Sequence, residues 1–293
     1  MPSGIARAHT AQIRVVLSAP ARLSAAAKTR GIATSLAKLK IYILKSLNVS
    51  LRLMADTVIP VSNIPTGDIQ SPATFIAEVK NESPDIIVLT GDLVHDRGSF
   101  EPGTMLARKL ALVSDVYFVT GNHDLKRADY VKFQEALDKT STVTLHNESV
   151  TIEKNGKEIT LSGIEDPFSE TGTNVTESIL NSVNEIKETD NYHIALFHRA
   201  NHMDLLCNKG FDLIISGHMH GGQVRLPNGR GVCSPRSSWG SGSPMLFPKY
   251  FAGHYTKDGT DMIVSRGIGN PMIIPRLFNR PELTVIILKS ENK

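Results

Sequence analysis

Apolar residues along this chain follow two rhythms, one suited to strands and one to helices. DIIVLT (85–90), VYFVT (116–120), HIALF (193–197) and FDLIISG (211–217) are short, continuous and rich in β-branched residues. Runs of this length are too short for helices and predict strands. Between them, SPATFIAEVKNES (71–83) places Phe75, Ile76 and Val79 at helical spacing, with Ser71-Pro72 as an entry signal. GTMLARKLALV (103–113) sets Met105, Leu106, Leu110 and Val113 on one side. VKFQEALDKT (131–140) and ESILNSVNEIKE (177–188) also read as helices. VIPVSN (58–63) predicts a first strand, and segment 143–166 predicts a hairpin turning at Asn155-Gly156. Beyond Gly222 the chain is loop-rich to Tyr250 and then closes with strands DMIVSRG and ELTVIILK. Mixed strands and helices of this kind indicate an α/β or α+β domain.

The strand ends carry the chemistry. DIIVLT runs into Gly91-Asp92, VYFVT into Gly121-Asn122-His123-Asp124, HIALF into His198, and FDLIISG into His218-Met219-His220. In a sheet flanked by helices, residues just past the strand ends gather in one crevice. The pattern therefore predicts one aspartate, one asparagine and several histidines at a common rim. Such nitrogen and oxygen donors, with no thiolate, suit manganese, zinc or iron(II) and argue against an iron–sulfur or structural Cys zinc site.

GDLVHDR, GNHD, FHRA and GHMHGGQ resemble, in order, the successive motifs of the calcineurin-like metallophosphoesterase superfamily. The tail FPKYFAGHY…VSRGIGNP…PRLFNRPELTVIILK resembles its bacterial membrane-associated branch, which includes phosphodiesterases and enzymes that cleave UDP-diacylglucosamine. The similarity runs from Ser62 to Leu288. It implies two packed mixed β-sheets flanked by helices, with divalent metal ions (Mn, Zn or Fe) at one end. It further implies a hydrolase that cleaves a phosphoester or pyrophosphate bond with metal-activated water. On this resemblance Asp92 bridges two cations, Asn122, His198 and His218 complete the second, and His220 ligates the first. His123 acts at the leaving oxygen, with Asp124 orienting its ring. His95, His146, His193, His202 and His254 match no ligand position.

One family motif is altered. The superfamily opens with Asp-x-His after its first strand, whereas this chain has Asn63 and Pro65 at the corresponding place. Proline offers no donor atom, and a neutral amide is a poorer ligand for a hard cation than a carboxylate. Asp68 stands nearby, but no motif assigns it. Two cations in the family thus become one here, and catalysis is expected to be weakened. The alternative is a catalytically degenerate metal- or phosphate-binding protein on the same fold.

Composition changes the picture mainly at the start of the chain. Residues 1–55 hold nine Lys or Arg and no Asp or Glu, although the formal net charge of the whole is only +3. The remainder is net acidic, so a basic nucleic-acid-binding core is not expected. This leader is atypical, and residues 56–293 form the expected metallophosphoesterase domain. Its composition resembles a transit peptide. LAKLKIYILKSL (36–47) also reads as a basic amphipathic segment on an anionic membrane, and a disrupted reading frame or wrong start is the third reading. Cys207 and Cys233 form no CxxC pair and read as free thiols. No apolar run reaches the roughly 18 residues of a membrane span, so a cytoplasmic or peripheral membrane-associated protein is expected. Its substrate is a phosphorylated small molecule or a lipid-linked one.

Overall fold

A computed structural model describes residues 12–18, 38–44, 53–56, 72–154, 156–168, 175–236, 244–269 and 275–291. Strands from the basic leader are β1 (Gln12–Ser18), β2 (Lys38–Leu44) and β3 (Leu53–Asp56). They are followed by α1 (Pro72–Asn81), β4 (Ile86–Leu89), α2 (Glu101–Ala111), β5 (Asp115–Phe118), α3 (Asn122–Leu125), α4 (Tyr130–Asp138) and β6 (Thr142–Thr144). Next come β7 (Glu148–Lys154), β8 (Lys157–Ile164), α5 (Val175–Glu185), β9 (Tyr192–Arg199), α6 (Met203–Leu206) and β10 (Leu213–Gly217). The chain ends through β11 (Cys233–Arg236), β12 (Pro244–Leu246), β13 (Gly253–Lys257), β14 (Thr260–Val264) and β15 (Thr284–Glu291). The expected strand VIPVSN, with Asn63, Pro65 and Asp68, lies outside the described residues.

Two mixed sheets result, as the family resemblance implied. One is seven-stranded in the order β3-β2-β15-β1-β4-β5-β6, and the other is six-stranded in the order β13-β14-β10-β9-β8-β7. β11 and β12 form a separate ribbon. The leader stretch 38–44 is extended, with β2 running parallel to β15. β7 and β8 form the expected hairpin, pairing Lys154 with Lys157 around a two-residue loop in which Gly156 adopts φ +69°.

Period-two alternation divides the side chains of β4 between two cores. Ile86 and Val88 point between the sheets, joining Leu161 of β8, Ile194 and Leu196 of β9, Leu213 and Ile215 of β10, and Ile286 of β15. Ile87 and Leu89 face the other way, against Phe75 and Val79 of α1, Ala107 and Leu110 of α2, and Phe133 and Leu137 of α4. The outer face of the second sheet buries Ala195, Phe197, Ile214 and Met262 against Ile179 and Val183 of α5 and Met203 and Leu206 of α6. The layers are therefore helix, sheet, sheet, helix. Burial on both faces explains why β4, β9 and β10 read as continuous apolar runs rather than alternating ones.

The central pairs are parallel: β4 with β5, β9 with β10, and β8 with β9. Parallel pairing brings the ends of β4, β5, β9 and β10 to one side of the sandwich. At the end of β4 the two sheets nearly touch, since a Cβ on Gly217 would lie 2.9 Å from the Thr90 hydroxyl. No described helix is long and apolar enough to cross a membrane.

One ion pair is fully enclosed near this edge. Arg199 donates through Nε to Asp166 Oδ2 at 2.7 Å and through Nη2 to Oδ1 at 2.8 Å, and both side chains are buried. A buried pair adds little net stability over an apolar pair, but removing one member strands a charge in a medium that cannot solvate it. Asp166→Ala should therefore lower unfolding stability by about 3–5 kcal/mol. Replacing both members with leucine and methionine should recover most of that loss, as read from urea denaturation.

Candidate metal centre

The rim forms where four strand ends abut. Past β4 the chain turns through Gly91 at φ +88° and Asp92 at φ +56°, a left-handed conformation that costs a non-glycine residue energy. Gly91 and Gly121 pack back to back. A Cβ on Gly91 would lie 2.5 Å from His198 Nδ1, and one on Gly121 would lie 2.4 Å from both the nitrogen and Oδ1 of Asp92. Only hydrogen at these two positions lets the loops after β4 and β5 approach this closely.

Asp124 locks the approach. Its Oδ2 accepts the backbone N–H groups of Asp92 at 2.7 Å and Gly121 at 2.8 Å, and its Oδ1 accepts that of Val94 at 2.9 Å. The expected role of Asp124 as the partner that orients His123 is thereby corrected, because both of its oxygens are committed to backbone. The carboxylate beside the His123 ring is Asp96, whose Oδ1 lies 3.8 Å from His123 Nδ1. Asp96 also meets His95 directly and takes Lys126 Nζ at 3.3 Å. His95 stacks on His123 with ring centres 4.8 Å apart. Burial pushes the Asp96 carboxyl up, yet the neighbouring charges of His95, Lys126 and His123 hold it below its usual value. From the sequence His95 was expected to match no ligand position and Asp96 was not singled out, yet both lie within GDLVHDR and with His123 form a second group able to hold a metal ion.

Three of the expected ligands meet closely. His198 Nε2 lies 3.2 Å from Asp92 Oδ2 and 3.1 Å from His218 Nδ1. One ligand atom from each residue falls within 4.8 Å of the other two, a group able to hold a metal ion. His198 Nδ1 lies 2.6 Å from the Thr90 carbonyl oxygen. A carbonyl only accepts, so Nδ1 carries hydrogen and Nε2 is the atom offered to Asp92 and His218. Burial opposes charge on His198, but Asp92 outweighs it and raises the imidazole to about 9. Burial likewise pushes Asp92 up, and the surrounding imidazoles of His198, His123 and His218 hold it well below the usual carboxylate range. Burial and His198 hold the His218 ring well below its usual value. Asp92, His198 and His218 would hold a cation with His198 Nε2 deprotonated.

Asn122 and His123 follow directly. The Asn122 Oδ1 atom is buried with no hydrogen-bond partner among the described residues, as is His123 Nδ1. The backbone N–H of His123 donates to Asp92 Oδ1 at 2.8 Å. A partnerless buried amide oxygen is costly, and ligation would relieve it. Oxygen and imidazole donors, the lack of thiolate and the orphaned Asn122 oxygen together fit a divalent cation.

His220 lies outside the tight group of Asp92, His198 and His218. The turn changes hand along its length, with φ +67° at His218, −78° at Met219, +48° at His220 and +64° at Gly221. Burial and the nearby Arg276 lower the His220 imidazole to about 4, while Asp92 pulls the other way. Its backbone carbonyl accepts from Asn279 Nδ2 at 2.6 Å, which ties the turn to the C-terminal loop. Three of the remaining described histidines have other partners. His193 Nε2 meets Ser162 Oγ at 2.6 Å, His146 meets Glu165, and His254 meets Asp261. His202 is largely buried, which lowers its imidazole.

A family model described as calcineurin-like phosphoesterase matches residues 53–222. The "Uncharacterized metallophosphoesterase YkoQ" of Bacillus subtilis (strain 168) is 30% identical over 219 residues, covering 73% of this chain and 76% of that protein. The "Uncharacterized metallophosphoesterase YkuE" of the same organism is 26% identical, covering 75% and 73% respectively. A "Transmembrane protein with metallophosphoesterase domain" of Bos taurus is 28% identical over 74% of this chain, which spans 48% of that protein.

Gly121→Ala should fold and still lose grip on metal, because its new methyl must displace Asp92. Manganese affinity should fall roughly 10–100-fold, as for other losses of support around a ligand. Titration calorimetry on metal-stripped protein measures this. Unchanged affinity would show that the Gly91–Gly121 contact does not position Asp92.

Proposed function

As the chain belongs to the calcineurin-like phosphoesterase family, we propose that it hydrolyses a phosphoester or pyrophosphate bond in a phosphorylated small molecule or lipid-linked substrate. The observation that carries this reading is the convergence of Asp92, His198 and His218, with the buried, partnerless Asn122 oxygen on the adjoining strand end. Asp92, Asn122, His198 and His218 would hold one divalent cation, manganese, zinc or iron, and His220 would contribute to a second. When bound, such a cation polarises a phosphoryl oxygen and lowers the pKa of water toward neutrality.

The chain's own groups supply the rest. Asp92 carries the negative charge that makes the rim attractive to a cation. The His123 side chain is one third exposed at the rim and is the group suited to give a proton to the departing oxygen. Asp96 and His95 limit its rotation, the first by charge and the second by stacking. Thr90 fixes which nitrogen of His198 faces inward. A second reading, metal or phosphate binding with little turnover, draws on Asn63 and Pro65 standing where the family pattern has Asp and His.

Bis(p-nitrophenyl) phosphate separates the readings. Full-length protein with manganese should hydrolyse it, and chelation should abolish turnover until manganese is restored. His123→Ala should reduce kcat by roughly 10²–10⁴-fold with bound metal unchanged, whereas His198→Ala should lose the metal itself. Metal retention without any turnover would favour the second reading.

With the first motif altered, elemental analysis of protein purified without chelator should find nearer one cation per chain than two. Two tightly held ions would show that other groups complete the first site.

A further inference from the structure

The described residues carry nine exposed large hydrophobic side chains, and five of them lie on adjoining loops and the end of β12 next to the rim: Leu226, Leu246, Phe247, Leu277 and Phe278. Backbone hydrogen bonds join these loops. Arg225 N–H donates to the Leu277 carbonyl at 3.0 Å, Val232 N–H to that of Val224 at 2.7 Å, and Phe247 N–H to that of Val232 at 2.9 Å. With neighbouring strands about 4.8 Å apart, the segments 276–280, 224–226, 230–232 and 246–247 form a continuous edge. Phe278 is 88% exposed at φ +53°, and Phe247 is 50% exposed at φ +50°. A bulky residue pays for left-handed backbone, and an aromatic ring loses by facing water. Both costs fall on the same two residues, as expected where strain serves a function.

Charge selects the partner. No Asp or Glu occurs from Leu213 to Lys257, or from Met262 to Pro281. The edge instead bears Arg230 and Arg280, with the Arg230 guanidinium 5.2 Å from the centre of the Phe247 ring, while Arg225 packs on Phe251 and Arg276 turns inward to the Arg266 carbonyl behind it. The nearest acid in sequence, Glu282, is buried and paired with Arg266 at 2.5 Å. Exposed leucine and phenylalanine interleaved with arginine, on segments that hold no exposed acid, is the chemistry of insertion among anionic lipid headgroups. Aromatic side chains and arginine also enrich protein interfaces, which makes self-association the rival outcome.

We propose that this edge docks on an anionic lipid surface and so brings a lipid-borne phosphoester to the rim. Asn279, next to Phe278, is the residue that holds the His220 carbonyl, so the edge and the rim are mechanically continuous. The docking itself stands on the surface; its use in catalysis rests on the phosphoesterase reading above.

Cosedimentation of the full chain with phosphatidylcholine vesicles, with and without phosphatidylglycerol, tests the docking. Binding should require the anionic lipid and weaken with salt. The double variant Phe247→Ser with Phe278→Ser should bind roughly tenfold or more weakly, and so should Arg230→Gln with Arg280→Gln. Both variants should hydrolyse soluble bis(p-nitrophenyl) phosphate as the parent does. Vesicle binding that neither variant weakens, or that ignores lipid charge, would overturn the proposal. So would absence of vesicle binding together with self-association that the phenylalanine variant abolishes, which would identify a protein interface. Failure of the phosphoesterase reading would appear separately, as lack of turnover on the soluble substrate with vesicle binding intact.

Discussion

The rim depends on one buried carboxylate that never faces it. Asp124 accepts backbone N–H groups from Asp92, Gly121 and Val94, and so joins the loop after β4 to the loop after β5. These three hydrogen bonds offset the left-handed backbone at Asp92 and hold its carboxylate where the imidazoles of His198 and His218 reach it. Asp124 thereby supplies the preorganisation that a set of ligands drawn from distant parts of the chain requires.

Much of this was legible because burial and periodicity leave a plain trace. β4, β9 and β10 read correctly from continuous apolar runs, since strands covered on both faces tolerate few polar residues. α1, α2, α4 and α5 followed from helical spacing to within a few residues, and the hairpin from Asn155-Gly156. β13 was missed because GHYTK is partly exposed and carries no apolar alternation. β6 is only three residues long and sits at the edge of its sheet.

The site was less legible than the fold. Spacing brought Asp92, His198 and His218 to one rim, but it could not show which carboxylate lies beside His123. Asp124 is adjacent in sequence, yet the short helix α3 turns it inward to cap backbone groups. Asp96, reached through a loop, takes the place beside the ring. The position of His220 was equally hidden, because a two-residue spacing in a strand would leave both histidines on one face. The turn from His218 to Gly221, left-handed at three of its four residues and right-handed at Met219, abolishes that alternation.

The proposed ligands belong to different sheets: Asp92 and Asn122 follow strands of the seven-stranded sheet, while His198 and His218 lie at strand ends of the six-stranded one. A cation shared by them is therefore a rivet between two layers otherwise held together mainly by apolar packing and the Thr90–His198 hydrogen bond. Its binding would confer resistance to shear between the sheets, so that the stiffness of the whole sandwich would report whether the rim is loaded.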